Sequence, residues 1–164
     1  MAVTSQKSDE YTNATATPVV NNATTEQHGS IRIAFFTHLQ VGTGDTGSSA
    51  ALCRLPAGRI RVLGSLSRAY VNWTTSSATL DLGWDAYTNL SDTAVAADPD
   101  GLINGLSVDT VGFFTLEGAI AANLLTGGTY VFESKDGVVI RATATDNAQV
   151  AGDDLVGYIA YVAD

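Results

Sequence analysis

Apolar and polar residues alternate along much of the chain, and the longest such tract runs from Leu55 to Trp84. Leu55-Pro56-Ala57-Gly58 is a turn signal, because Pro presets φ and Gly accepts positive φ cheaply. Arg59-Ile60-Arg61-Val62 then alternates, and the strand-like run continues through Leu66 to Trp73 with one break in phase. After Ser76-Ser77, the residues Ala78, Leu80, Leu82 and Trp84 alternate with Thr79, Asp81, Gly83 and Asp85. A two-residue period over this length predicts strands with one buried face, paired as a long β-hairpin.

The same reading extends in both directions. Ile31, Ile33, Phe35, Leu39 and Val41 share one face, opposite Arg32, His38 and Gln40, and are expected to be its buried side. Gly42 to Ser49 is a polar loop, followed by a short strand at Ala50 to Leu55. Residues 86–109 are the least regular part, and Asp98-Pro99-Asp100-Gly101 predicts a turn there. Val111 to Leu116 predicts a strand, and Ala119 to Leu125 fits a short helix or a strand. Thr129 to Glu133 and Val138 to Thr143 flank Ser134-Lys135-Asp136-Gly137, whose Asp-Gly pair is a hairpin turn signal. Leu155 to Ala163 carries apolar residues on both faces, as a doubly covered strand does.

Eight or nine short strands joined by turn clusters predict an all-β protein. The expected architecture is an antiparallel β-sandwich, a jelly roll or a related Greek key. Residues 1–29 stand apart: Thr, Asn, Ala and Ser dominate, and no periodicity is present. Such a segment cannot offset its own ordering entropy, so it reads as an extended or disordered N-terminal arm before a β-sandwich domain at 30–164. Tyr11, Val19 and Val20 are the arm's best anchors for a partner surface.

Composition narrows the function classes. The formal net charge is −9, which disfavours nucleic acid and anionic membranes, since both need clustered cations. Met1 to Tyr11 has no apolar core of a secretory signal, and no run reaches the ~18 apolar residues of a membrane span. A soluble chain made in a cytoplasm is expected, so the four Asn-x-Ser/Thr sites, at Asn13, Asn22, Asn72 and Asn89, carry no message. Cys53 is the only cysteine, which excludes an intrachain disulfide and predicts a buried, inert thiol.

Candidate chemistry is sparse. His28 and His38 form no metal-binding spacing, and no cofactor is expected. Gly42-Thr43-Gly44-Asp45-Thr46-Gly47 lacks the Lys and the helix of a phosphate loop. Asp81 and Asp85 are about 13 Å apart on a strand, too far for the usual glycosidase acids. Asp98, Asp100 and Asn104 imitate part of a calcium loop without its closing Glu. Arg54, Arg59, Arg61 and Arg68 hold half of the eight cations. Arg59 and Arg61 face the same way, either as a strip for an acidic partner or paired with Asp81 and Asp85. No catalytic residue is assigned. A second function class is a receptor- or glycan-binding module, with Tyr70, Trp73, Trp84 and Tyr87 as candidate stacking rings; Trp84 falls on the apolar face of its strand.

Leu55-Pro56-Ala57-Gly58 before a strand, then Thr79-Leu80-Asp81-Leu82-Gly83, an Asp-rich section, and Tyr161-Val162-Ala163-Asp164 at the end form a pattern. Over about residues 50–164 it resembles structural proteins of tailed-bacteriophage virions, of the capsid decoration (cement) type. The resemblance implies a β-sandwich without enzymatic activity on the capsid surface of the virion, a homotrimer, and the major capsid protein as partner; under it the alternative receptor- or glycan-binding module would sit on a phage tail or fibre. The chain departs from the pattern in its longer leader and in the extra strand at Ile31.

Overall fold

The computed structural model describes residues 16–18, 30–73, 75–116 and 130–163. Among them the chain order is β1 (Ile31–His38), β2 (Ser49–Leu55), β3 (Gly58–Val62), β4 (Arg68–Val71), β5 (Thr79–Trp84) and β6 (Tyr87–Thr88). There follow β7 (Ala94–Val95), β8 (Asp98–Ser107), β9 (Gly112–Thr115), β10 (Tyr130–Ser134), β11 (Val138–Ala144) and β12 (Leu155–Ala163). A 3-10 turn, Gly64–Leu66, separates β3 from β4.

One rule governs the pairing. β1 pairs β12, β2 pairs β11, β3 pairs β10, β4 pairs β9, β5 pairs β8 and β6 pairs β7, all antiparallel. The chain is therefore one long ribbon doubled back at the β6–β7 hairpin. Asn89 holds that tip, its Oδ1 accepting the N–H groups of Ser91 and Thr93 at 2.9 and 2.8 Å. This is the side-chain mimicry of a backbone turn for which Asn is favoured. The ribbon then rolls up, since β12 also pairs β3 and β4, and β11 also pairs β5. The result is an antiparallel sandwich. One sheet runs β1, β12, β3 with β4, then β10 with β9; the other runs β2, β11, β5, β8.

Between the sheets lie Ile60, Val71, Phe132 and Ile159 from the first and Leu55, Leu82, Leu102 and Ile140 from the second, all buried. Each such side chain contributes about 1.5–3 kcal/mol relative to exposure. β11 shows the underlying pattern most clearly, since Val138, Ile140, Ala142 and Ala144 are buried and the residues between them are half-buried.

Four expectations need correcting. Leu55 to Trp84 is not a hairpin: the turn at Leu55–Gly58 carries the chain from one sheet to the other, and β3 with β4 lies across the core from β5. Alternation identifies a buried face but not the neighbour on the same sheet. Ser134–Gly137 likewise turns tightly, with Gly137 at φ +90°, yet it joins the two sheets. It turns the corner beside Leu55–Gly58, with Val138 opposite Leu55 and Ser134 opposite Gly58. Asp98–Gly101 is the start of β8, an edge strand of its sheet, where the missing Pro99 N–H is tolerated. Finally, Ile31, Ile33 and Phe35 are on the exposed side of β1, as are Leu39 and Val41 beyond it, and Phe36 is buried instead.

The break in phase before Arg68 is the 3-10 turn. On β12, the second half is buried on both faces, as its composition predicts. The alternatives for Ala119 to Leu125, and the arm residues Tyr11, Val19 and Val20, lie outside the described residues.

Candidate interaction face

β1 has apolar residues on both faces, Ala34 and Phe36 beside Arg32 and His38 on the inner one, and the sandwich covers only that side. Its inward face carries Ala34 and Phe36; the outward face carries Ile31, Ile33 and Phe35, at 57%, 48% and 73% exposed. Register extends this surface across the sheet. Phe35 lies opposite Tyr158, which lies opposite Arg68; nearby, Val156 lies opposite Tyr70, which lies opposite Phe113. β4 and β9 alternate cleanly here, with Ala69 and Val71 buried, Arg68 and Tyr70 outward, and Phe113 74% exposed.

These side chains border an open groove of about 470 Å³, with Ala69, Val156 and Gly157 among its lining. The Phe35 and Tyr158 rings meet edge to face with centroids 5.8 Å apart, and the Tyr70 and Phe113 rings are 5.0 Å apart. Both distances lie in the favourable range for aromatic pairs. Gly157 brings the backbones together: a Cβ there would stand 2.2 Å from the Arg68 carbonyl oxygen. Arg68 is the only charged residue lining the groove, and no carboxylate does, among the described residues.

The arginine strip takes a different form from the expected one. Arg59 pairs with Glu133 on the neighbouring β10, Nε to Oε1 at 3.5 Å. Arg61 is on the same outward side but only 7% exposed. Asp81 and Asp85 belong to the other sheet and its loop. There Asp81 accepts the Gly105 N–H at 2.7 Å, and Asp85 makes a two-pronged bond with Arg141 at 2.6 and 2.8 Å. A second, shallower depression of about 350 Å³ is bordered by Arg59, Glu133, Tyr87 and Asn89.

Of the four candidate stacking rings, Trp73 and Trp84 are core residues, 1% and 5% exposed. Trp84 packs against Tyr130 and Phe132 at 4.6 and 5.2 Å, and Tyr87 packs on Phe132. Tyr70 alone of the four borders the groove. Burial pushes the Cys53 thiol up to about 11, so it is protonated at neutral pH. His38 Nε2 and Gln40 Oε1 are 2.9 Å apart. Among the described residues no cluster of His, Cys, Asp or Glu is arranged to hold a metal ion.

Sequence reasoning placed Tyr70 among candidate surface rings but missed Phe35, Phe113, Val156 and Tyr158. The available signal was β1 itself, Ile31-Arg32-Ile33-Ala34-Phe35-Phe36, in which Phe36 falls at one parity and Ile31, Ile33 and Phe35 at the other, as in a strand that also contacts something outside its own core.

No protein-family model matches the chain, and no curated protein does. Solved structures do. A chain of the cyanophage Pam1 capsid asymmetric unit superposes with a TM-score of 0.53 at 16% identity, covering 83% of this chain and 86% of that one. The infectious bursal disease virus VP2 subviral particle gives a TM-score of 0.46 at 10% identity, and the structure of that virus's Gx strain 0.43 at 12%. This chain spans 33% of the length of each of those two. The likeness to the Pam1 chain is one of fold, and it extends over most of both molecules.

Proposed function

We propose that this chain is a non-enzymatic structural protein of a tailed-phage virion, which decorates the capsid surface and stabilises it by bridging neighbouring capsid subunits. The strand order, a ribbon doubled once and rolled into two sheets, is read here as a jelly roll. The observation that carries the reading is the correspondence of this fold, over 83% of the chain, with a chain of a phage capsid asymmetric unit. The exposed apolar face supports it, because a surface of that kind is characteristic of proteins that bind other proteins.

On this reading the partners are the major capsid protein and further copies of the chain, as a homotrimer, and the mechanism is multivalent. Many weak contacts, each spanning a seam, add avidity without any strong single site. Residues 1–29 act as an arm that orders against neighbouring subunits, with Tyr11, Val19 and Val20 as anchors and Arg59 marking a secondary contact point. An arm of this type adds contact area at an entropic cost.

The test is capsid melting with and without added protein, using the full chain and a 30–164 truncation. The full chain is expected to raise the capsid melting temperature, and the truncation to bind particles more weakly. An unchanged capsid melting temperature overturns the decoration reading; equal particle binding by the truncation overturns the arm.

A further inference from the structure

We infer that the outer face of the β1-containing sheet packs on the same face of a second copy of this chain, with Phe35 of one copy against Phe113 of the other. Three observations select that occupant. Phe35, Phe113, Ile31 and Ile33 are between 48% and 74% exposed, and with Tyr70 and Val156 they leave roughly 600 Å² of apolar surface in water. That is more than a small ligand in the groove would cover, and it approaches the ~800 Å² per partner of a standard protein interface.

Charge supplies the second. A chain of net charge −9 repels its own copies, so two copies approach best through a face without carboxylates. The groove has none among its described lining. Asp81, Asp85, Asp98 and Asp100 all belong to the opposite sheet or its loops, and Glu133 is held by Arg59.

The third is the arrangement of the rings. About the midpoint between Gly157 and Ala69, which face each other across β12 and β4, a half-turn brings Phe35 onto Phe113 and Tyr158 onto Tyr70. That half-turn is an internal symmetry of the face; an isologous contact needs instead an axis lying in the interface. A two-fold axis in the interface, perpendicular to the line from Phe35 to Phe113, sets each Phe35 against the other copy's Phe113. Such a contact joins copies two by two, so within the homotrimer reading it links one trimer to the next and leaves the three-fold contact to other surfaces.

Sedimentation velocity on the full chain tests this without any capsid, so its outcome is separate from that of the decoration reading. The wild-type chain is expected to associate at about 100 µM into a dimer, or into paired trimers where the three-fold contact also forms, and this pairing is the association measured. Phe35→Glu alone and Phe113→Lys alone are each expected to weaken association at least about tenfold. An equimolar mixture of the two is expected to associate again. In the mixed pair the introduced carboxylate of one copy meets the introduced ammonium of the other, while the second contact keeps both phenylalanines. Both positions are about three-quarters exposed, and Phe35→Gln with Phe113→Gln repeats the single-variant measurement should a charged variant lose its far-ultraviolet circular dichroism. A monomeric wild type, single variants that associate normally, or a mixture no better than its components would each overturn the proposal.

Discussion

The Oγ of Ser67 accepts the backbone N–H of Ala160 at 2.9 Å, and the same hydroxyl donates to the Leu63 carbonyl at 2.9 Å. This is how two strands, β3 and β4, run beside β12 as one. Val62 lies opposite Tyr161 and Arg68 opposite Tyr158, so five residues, 63–67, face only two. The Leu63 N–H bonds the Ala160 carbonyl at 2.8 Å, and the fully buried Ser67 side chain supplies the acceptor the excursion would otherwise remove. Ser67→Ala leaves the buried Ala160 N–H unpaired, at a cost of about 1–3 kcal/mol. Urea denaturation is expected to show that loss with an unchanged m-value; a loss below about 0.5 kcal/mol would mean the hydroxyl is dispensable.

Glycines at two positions set how closely β5 and β8 approach. A Cβ on Gly101 would stand 2.2 Å from the Trp84 ring, and one on Gly83 would stand 1.9 Å from the Asp98 carbonyl oxygen. Gly101→Ala must push the indole off its packing against Tyr130 and Phe132, an overpacking strain of about 1–3 kcal/mol. Gly83→Ala meets backbone, which yields less than a side chain, and is expected to cost more. Near-ultraviolet circular dichroism reports the indole environment directly. Gly101→Ala with the wild-type near-ultraviolet spectrum and midpoint would contradict this packing.

Local alternation made most strands readable, and their pairing was not. Val138 to Ala144 is visible as a strand because every second residue is buried, but nothing in that run says that β2 and β5 flank it. The pairing is set by how the ribbon closes, which depends on contacts as distant in sequence as Ile31 with Val162. Two-sheet corners look like hairpins from within, because Pro56 and Gly58, or Asp136 and Gly137, satisfy the same turn geometry in either case. β1 misled in another way. Its larger residues at odd positions suggested the buried face, whereas the core needed Phe36 and the outer surface kept Phe35. Size and hydropathy along one strand cannot say which of two apolar faces the sandwich covers.

Cys53 is half-buried on β2, opposite Ile140. With its thiol raised to about 11 by desolvation, little thiolate exists at neutral pH, and the thiolate is the reactive form. A disulfide reagent such as dithionitrobenzoate is expected to react slowly with the folded protein at neutral pH and quickly once urea unfolds it. Fast labelling of the native chain, at the rate of a free thiol, would show that the site opens or that the thiol is activated.

Two aspartates near the Trp84 end of β5 respond to pH in opposite directions. Hydrogen bonds from Arg141 hold the Asp85 carboxyl below its usual range, against a smaller opposing effect of burial. Its folded pKa is below the unfolded value of about 3.9. The folded state therefore binds fewer protons, and the contribution is present above that value and lost as pH falls through the folded pKa. The pair is about one-third exposed, so screening keeps it below about 1 kcal/mol. Asp98 is pushed up, first by burial and then by the adjacent Asp100, whose Oδ2 accepts from Asn104 at 2.5 Å. Here the folded state binds the proton more tightly, so stability is complete below about pH 3.9 and declines as pH rises through the raised pKa. Asp85→Asn is accordingly expected to lower the urea midpoint at neutral pH and to match the wild type in acid. Asp98→Asn is expected to raise the midpoint at neutral pH, with the gain vanishing in acid. Midpoint shifts for Asp98→Asn that stay constant across the titration would locate its effect in packing against Trp84 instead of in the carboxylate charge.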